Sequence, residues 1–166
     1  MCKHLWNGAL GAFDDFDWKE RRLRGAVSAA AATPLFFGLA TAAQARATAT
    51  LVESQLLAAG GVLTTSKQTG LQWDAPNGWA PMQWFVAEGL SRYGFVALAD
   101  DIRVRWLAMV EQVFHETGRL VEKYDVVAKR PGGGGEYAVQ DGFGWTNGVT
   151  KAFYQALQST ALARTA

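Results

Sequence analysis

The sequence contains a single cysteine, Cys2, so no disulfide can form within the chain and no covalent staple supports the fold. Only two histidines, His4 and His115, accompany it, too few and too scattered for a metal centre. Neither a metal nor a cofactor is expected. Charge of one sign is also missing: 16 Lys and Arg face 15 Asp and Glu. That balance offers no electrostatic case for nucleic acid or an anionic membrane as partner. The basic run at residues 19–24 (KERRLR) is short, is interrupted by Glu20 and follows the acidic cluster Asp14, Asp15 and Asp17, which reads as a solvated turn. Long hydrophobic runs are scarce as well. Residues 25–45 lack charge, follow Arg22 and Arg24, and end Ala43-Gln44-Ala45, which imitates a secretory leader. The polar, acidic and aromatic residues 1–24 in front of it exclude that reading. Its Ala, Gly, Ser and Thr content, with Pro34 in the middle, makes its transfer into a bilayer marginal. A pair of tightly packed small-residue helices broken at Pro34 is expected instead.

What the sequence has in excess is tryptophan (7) and glycine (18). Large indoles are demanding to place and glycine-rich backbone is costly to order, so together they suggest a ligand-binding surface. The 166 residues suffice for one domain with a real core, and residues 1–166 are read as a single domain. The coarse pattern is helical. A helix from about 41 to 57 would place Ala45, Ala49, Val52 and Leu56 on one face, ending at Gly60-Gly61. A second opens at Pro81, carries Met82, Phe85, Val86 and Leu90 inward, and closes at Gly94. A third has Asp100 or Asp101 in its first turn, an apolar stripe of Ile102, Trp106, Met109, Val110 and Val113, and a stop at Gly118. A last helix runs from about 147 to 159 with Val149, Phe153, Ala156 and Leu157 inward. No strand pattern of any length is visible. An all-α fold follows, with an α/α barrel and an irregular helical bundle both open.

Two long loops, 60–80 and 118–145, separate these helices and concentrate Trp, Asp, Glu and Gln, which favours function over disorder. Residues 72–81 (QWDAPNGWAP) crowd two tryptophans, a carboxylate, an amide and two prolines into one turn. Trp73 and Trp79 offer flat apolar faces; Gln72 and Asp74 offer hydrogen-bond partners. Sugar rings present the matching surface, C–H faces with a rim of hydroxyls. The plainer alternative has both tryptophans in the core and Asp74 capping a turn. Residues 132–148 (GGGGEYAVQDGFGWTNG) run four glycines into Glu136 and an aromatic-rich turn. No Lys-Ser/Thr follows, and Glu136 would repel phosphate, so a phosphate-cradling loop is excluded and a neutral polyol suits better. Glu122, between the loops, reads from its residues alone as a surface glutamate paired with Lys123. Glu53, Asp100, Asp101, Glu111 and Glu116 fall on polar helical faces as solvated charges.

Together these segments resemble the trehalase family of glycoside hydrolases. QWDAPNGWAP resembles that family's second signature, and GGGGEYAVQDGFGWTNG its glycine-rich C-terminal motif. Glu88-Gly89-Leu90 and Glu122-Lys123-Tyr124-Asp125 fall where the family has similar residues, so the resemblance covers most of the chain. It implies the C-terminal part of an (α/α)6 toroid and hydrolysis of α,α-trehalose to two glucose molecules with inversion. It implies Glu122 as the general base, Glu136 as a sugar-binding carboxylate, and Trp73 and Asp74 in the pocket wall. The family's general acid is an aspartate in an upstream signature with no counterpart here; the acids Asp14, Asp15 and Asp17 stand in a different context. The expectation is therefore a fragment that is inactive alone and has the remaining N-terminal part of the enzyme as its partner. A sugar-binding remnant and a helical interaction module are the alternatives. The family has exported and cytoplasmic members, so the compartment is left open.

Overall fold

The helical periodicity of the sequence becomes four long helices whose apolar stripes meet in one hydrophobic cluster. The computed structural model describes residues 2–135 and 137–165, so the expectation for Glu136 lies outside the described residues. Helix α1 (Ala42–Leu51) begins at a reciprocal cap: Gln44 N–H donates to Thr41 Oγ1, and Thr41 N–H donates to Gln44 Oε1. It runs on into a π turn (Val52–Leu56) and buries Ala45, Ala49, Val52 and Leu56, the expected face. Helix α2 (Ala80–Arg92) has Pro81 in its first turn, where a missing N–H costs nothing.

Its inward face differs from the expected one. Val86 and Leu90 are buried, but Met82 and Phe85 are only half-buried and Gln83 takes the deep position. The Gln83 amide donates to Val62 O and accepts from Val62 N–H, both at 2.7 Å, standing in for a strand neighbour. A buried amide satisfied at both ends is tolerated where an unpaired one is not.

Helix α3 (Val96–Thr117) starts a turn earlier than expected, which puts Asp100 and Asp101 in its second turn. Its stripe Ile102, Trp106, Met109, Val110 and Val113 is buried, and Gly118 ends it at φ 69°. Asp100 is not a merely solvated charge: it bonds the buried Arg103 guanidinium at 2.7 Å, which also meets Glu88 of α2 at 2.8 Å. Helix α4 (Gly144–Thr165) is longer than expected at both ends and turns Phe153 into the core.

The small-residue stretch is not a helix pair broken at Pro34. It is a 3-10 turn (Ala29–Ala32) followed by a single helical turn (Thr33–Phe36), with Pro34 at the start of the latter. This segment lies so close to α2 that a Cβ on Gly89 would come within 2.9 Å of the Phe36 nitrogen. The run at residues 19–24 is the exposed turn expected, closing a hairpin in which Phe16 faces Leu23 and Asp17 faces Arg22.

Strands exist after all, each two or three residues long. The important sheet has three: β1 (Asn77–Trp79), β2 (Lys123–Asp125) and β3 (Arg130–Pro131), antiparallel throughout. Elements this short carry no alternation to detect. Among the described residues no helix is long and apolar enough to cross a membrane.

Candidate active site

The sheet joins the two loops that stood apart in the sequence. In the β1–β2 register Trp79 lies opposite Lys123 and Asn77 opposite Asp125. Gly78, between them, faces Tyr124, and a Cβ there would meet Val126 and the Val62 carbonyl below 3 Å. Only glycine leaves room for that carbonyl at this point.

The two tryptophans of residues 72–81 share one stack but differ in burial. Trp79 is 2% exposed and donates its indole N–H to Gln72 O at 2.9 Å. Trp73 is 42% exposed and lies flat on Trp79, with ring centroids 4.0 Å apart. The core reading thus holds for one and fails for the other. Trp145, at the start of α4, meets Trp79 edge-on at 5.5 Å, and Phe143 lies beyond it. Asp74 is engaged within its own turn. Its carboxylate accepts from the hydroxyls of Thr65 and Thr69, its N–H donates to Leu71 O, and its carbonyl accepts from Asn77 N–H.

Glu122 departs most from the reading of its residues alone. The pairing with Lys123 is present, Nζ to Oε1 at 2.5 Å, but both side chains are buried rather than on the surface. The cause is the backbone, which is held from every side. Glu122 N–H donates to Gln140 O at 2.9 Å, and Trp145 Nε1 donates to Glu122 O at 3.1 Å. The Thr146 hydroxyl donates to Val121 O at 2.8 Å, and Val121 N–H donates to the Tyr124 phenol oxygen at 3.1 Å. Burial raises the Tyr124 phenol above its ordinary pKa, against the pull of that N–H. With its backbone bonded on both sides, the Glu122 side chain leaves from a pre-positioned point, as an acid–base or binding group must.

The glycine run closes over this carboxylate's lysine. Gly132 N–H donates to Lys123 O, and Asn77 clamps Gly133 from both sides, Nδ2 to Gly133 O at 2.8 Å and Oδ1 from Gly133 N–H at 3.2 Å. Gly134 and Gly135 take φ of 76° and 89° and lie against the backbone of Gly70 and the Gln72 side chain. The run is thus a shaped wall, not a linker. Tyr137 beyond it sets its ring 5.1 Å from the Lys123 ammonium.

An open cavity of about 530 Å³ lies behind this run, lined among others by Leu71, Asn77, Asp125, Arg130 and Gly134. Neither Glu122 nor Trp73 lines it, so it is separate from the carboxylate site. Among the described residues no group of three or more His, Cys, Asp or Glu could hold a metal ion.

Of the expected site residues, the fold thus brings Trp73, by way of Trp79, to the same sheet as Glu122, and leaves Asp74 in the adjoining turn. Reading residues in order missed Asn77, Thr146 and the depth of Lys123. All three depend on partners far along the chain, and the run from Val121 to Val126, with charges at 122, 123 and 125, gives no local signal of burial.

Comparison with known proteins agrees with this geometry. A profile of the trehalase family matches residues 1–158. Periplasmic trehalases are similar: that of Pseudomonas aeruginosa is 54% identical over 148 residues, 89% of this chain and 27% of the relative. That of Xanthomonas campestris pv. campestris (strain B100) is 55% identical over 148 residues, 89% of this chain and 26% of the relative. The chain therefore spans about a quarter of the length of the curated relatives it matches. Among solved structures, the neutral trehalase of Saccharomyces cerevisiae superposes with a TM-score of 0.80 at 31% identity, over 93% of this chain and 28% of that one. A mannosylglycerate hydrolase from Thermus thermophilus, in complex with glucose, shares the fold alone: TM-score 0.73, 24% identity, 93% of this chain and 37% of that one. The mostly helical architecture is that of part of an α/α toroid, as expected. With both signature loops joined through one sheet and the family profile covering nearly its whole length, the chain belongs to the trehalase family.

Proposed function

We propose that this chain carries the base side of a site that hydrolyses α,α-trehalose to two glucose molecules with inversion. The observation that supports it best is Glu122: a buried carboxylate whose backbone is held by Gln140 and Trp145, beside the sheet that carries the Trp73–Trp79 stack. In this reading Glu122 takes a proton from a water, which attacks the anomeric carbon. A carboxylic acid on the opposite face of the sugar protonates the leaving oxygen. The two carboxyls stand about 6.5–9.5 Å apart in inverting enzymes, leaving room for the water. The exposed face of Trp73 suits the C–H side of a pyranose, with Asp74 and Glu136 as polar sugar contacts.

The acid is proposed to come from the part of a trehalase that this chain does not match. The other carboxylates described in these loops are engaged: Asp74 by threonines, Asp125 by Arg130 and two backbone N–H groups, Asp141 by Arg119. Loss of one acid–base group typically costs about 10²–10⁴-fold. The chain alone is therefore proposed to release no glucose from trehalose at an enzymatic rate.

The test is glucose release by the purified chain, alone and co-produced with the part of the P. aeruginosa periplasmic trehalase that it does not match. The expected result is turnover only by the pair, abolished by Glu122→Gln. Turnover by the chain alone within the ordinary range of roughly 1–10³ s⁻¹ would overturn the split site. Parental turnover by a pair carrying Glu122→Gln would overturn the base.

A further inference from the structure

A fully buried lysine is costly, because burial disfavours its charge and its ammonium must find partners. Lys123 is fully buried and spends its head group on four side chains at once. Its Nζ lies 2.5 Å from Glu122 Oε1 and 3.3 Å from Gln72 Oε1. The same nitrogen sits 5.3 Å from the ring centre of Trp79 and 5.1 Å from that of Tyr137. Stability does not explain this choice. A buried ion pair exchanged for apolar side chains of similar volume is often neutral or stabilising, and a methionine would fill the same stem.

We infer that Lys123 is the positioning residue of the general base. This rests on the assignment of Glu122 just proposed. The ammonium takes one carboxylate oxygen, Oε1. Among the described residues no hydrogen bond engages the other, Oε2. One oxygen is thereby anchored, and the other is left to receive the proton of the attacking water. A base held this way avoids the loss that follows when a reacting group wanders by an ångström. The remaining contacts tie that orientation to the pocket: Gln72 and Trp79 belong to the tryptophan loop, and Tyr137 to the glycine-rich one. Cation–ring contacts suit the purpose, since they hold an ammonium without competing for the carboxylate oxygen.

The experiment uses the two-part enzyme described above and three substitutions at one position. Lys123→Met keeps the stem without charge, Lys123→Gln keeps a polar tip without charge, and Lys123→Arg keeps the charge. The expected result is that Met and Gln lower kcat by about 10²-fold with KM changed less than about threefold, and that Arg recovers at least about tenfold of the loss. A purely structural lysine would not split kcat from KM or depend on charge. Parental kcat in either neutral variant, or a loss confined to KM, overturns the inference while leaving Glu122 as base, provided Glu122→Gln is silent. Turnover by Glu122→Gln at the parental rate instead overturns the base itself, and Lys123 with it. If one neutral variant does not fold, the other decides.

Discussion

Trp73 and Trp79 lie face to face, their ring planes within 1° of parallel, yet Trp73 keeps 42% of its surface exposed and Trp79 is closed into the core. Substitution should separate their roles. Trp79→Ala removes a buried indole with its hydrogen bond to Gln72 and is expected to destabilise the chain by about 3–5 kcal/mol. Trp73→Ala loses one stacked face of a half-exposed ring and should cost clearly less than Trp79→Ala, while removing the surface offered to a pyranose. Urea unfolding followed by circular dichroism gives the stability difference. Equal destabilisation by the two would show that Trp73 is a core residue after all.

Glycines at two positions should respond with opposite sign. At Gly78 an added methyl would sit 2.5 Å from Val126 Cγ1 and 2.7 Å from Val62 O, and the second of these is backbone that cannot swing aside. Gly78→Ala is expected to destabilise by about 1–3 kcal/mol. Gly148 lies inside α4 with nothing within 4 Å of where its Cβ would be. Gly148→Ala should stabilise by about 0.5–1 kcal/mol through backbone entropy alone. Melting temperatures of the two variants, measured side by side, test both signs.

These glycines also mark where sequence reading succeeds and where it stops. The stripe from Ile102 to Val113, Pro81 in a first turn and the stop at Gly118 are local features, set by neighbours within a turn or two, and all three are where periodicity puts them. Gln83 escapes such a reading because its partner is Val62, 21 residues away, and nothing in the polarity of glutamine announces it. The depth of Glu122 escapes it for the same reason: Gln140, Trp145 and Thr146 hold its backbone from across the glycine-rich loop. From its neighbours in sequence alone Glu122 reads as a surface charge, and the structure buries it.

Acid should expose a second buried carboxylate. Burial works against the ionised form of Asp14, but hydrogen bonds from Asn7 Nδ2 and from the N–H groups of Gly25 and Ala26 outweigh it and hold the pKa below the ordinary 3.8. A folded-state pKa below the unfolded one contributes stability that is complete above the unfolded value and lost as pH falls through the folded value. Asp14→Asn is thus expected to cost about 1–3 kcal/mol at pH 7, with the gap to the parent narrowing below about pH 4. Melting curves between pH 3 and 7 check this. A gap that stays constant over that range would mean that Asp14 matters for its shape and not for its charge.

Asn77 sets the last expectation, because it fastens the tryptophan loop to the glycine-rich wall. Its side chain donates to Gly133 O and Gln72 O and accepts from Gly133 N–H, all from a buried position on β1. Asn77→Ala leaves those backbone groups to water or to nothing, at a cost of about 1–3 kcal/mol. The consequence should be local. Within the glycine run the clamp bonds Gly133, whereas Gly132 is held through Lys123 O, so the strand pairing of β2 and β3 should survive. Amide hydrogen exchange is the right measurement: in the variant the amide of Gly133 should lose protection, while those of Tyr124 and of the Ile102–Val113 stripe keep theirs. In the two-part enzyme the same variant should turn over trehalose more slowly, since a loosened wall no longer holds Tyr137 against Lys123. Protection lost across β2 as well would mean that Asn77 supports the whole sheet, and the loop would then have to be held by some contact other than this clamp.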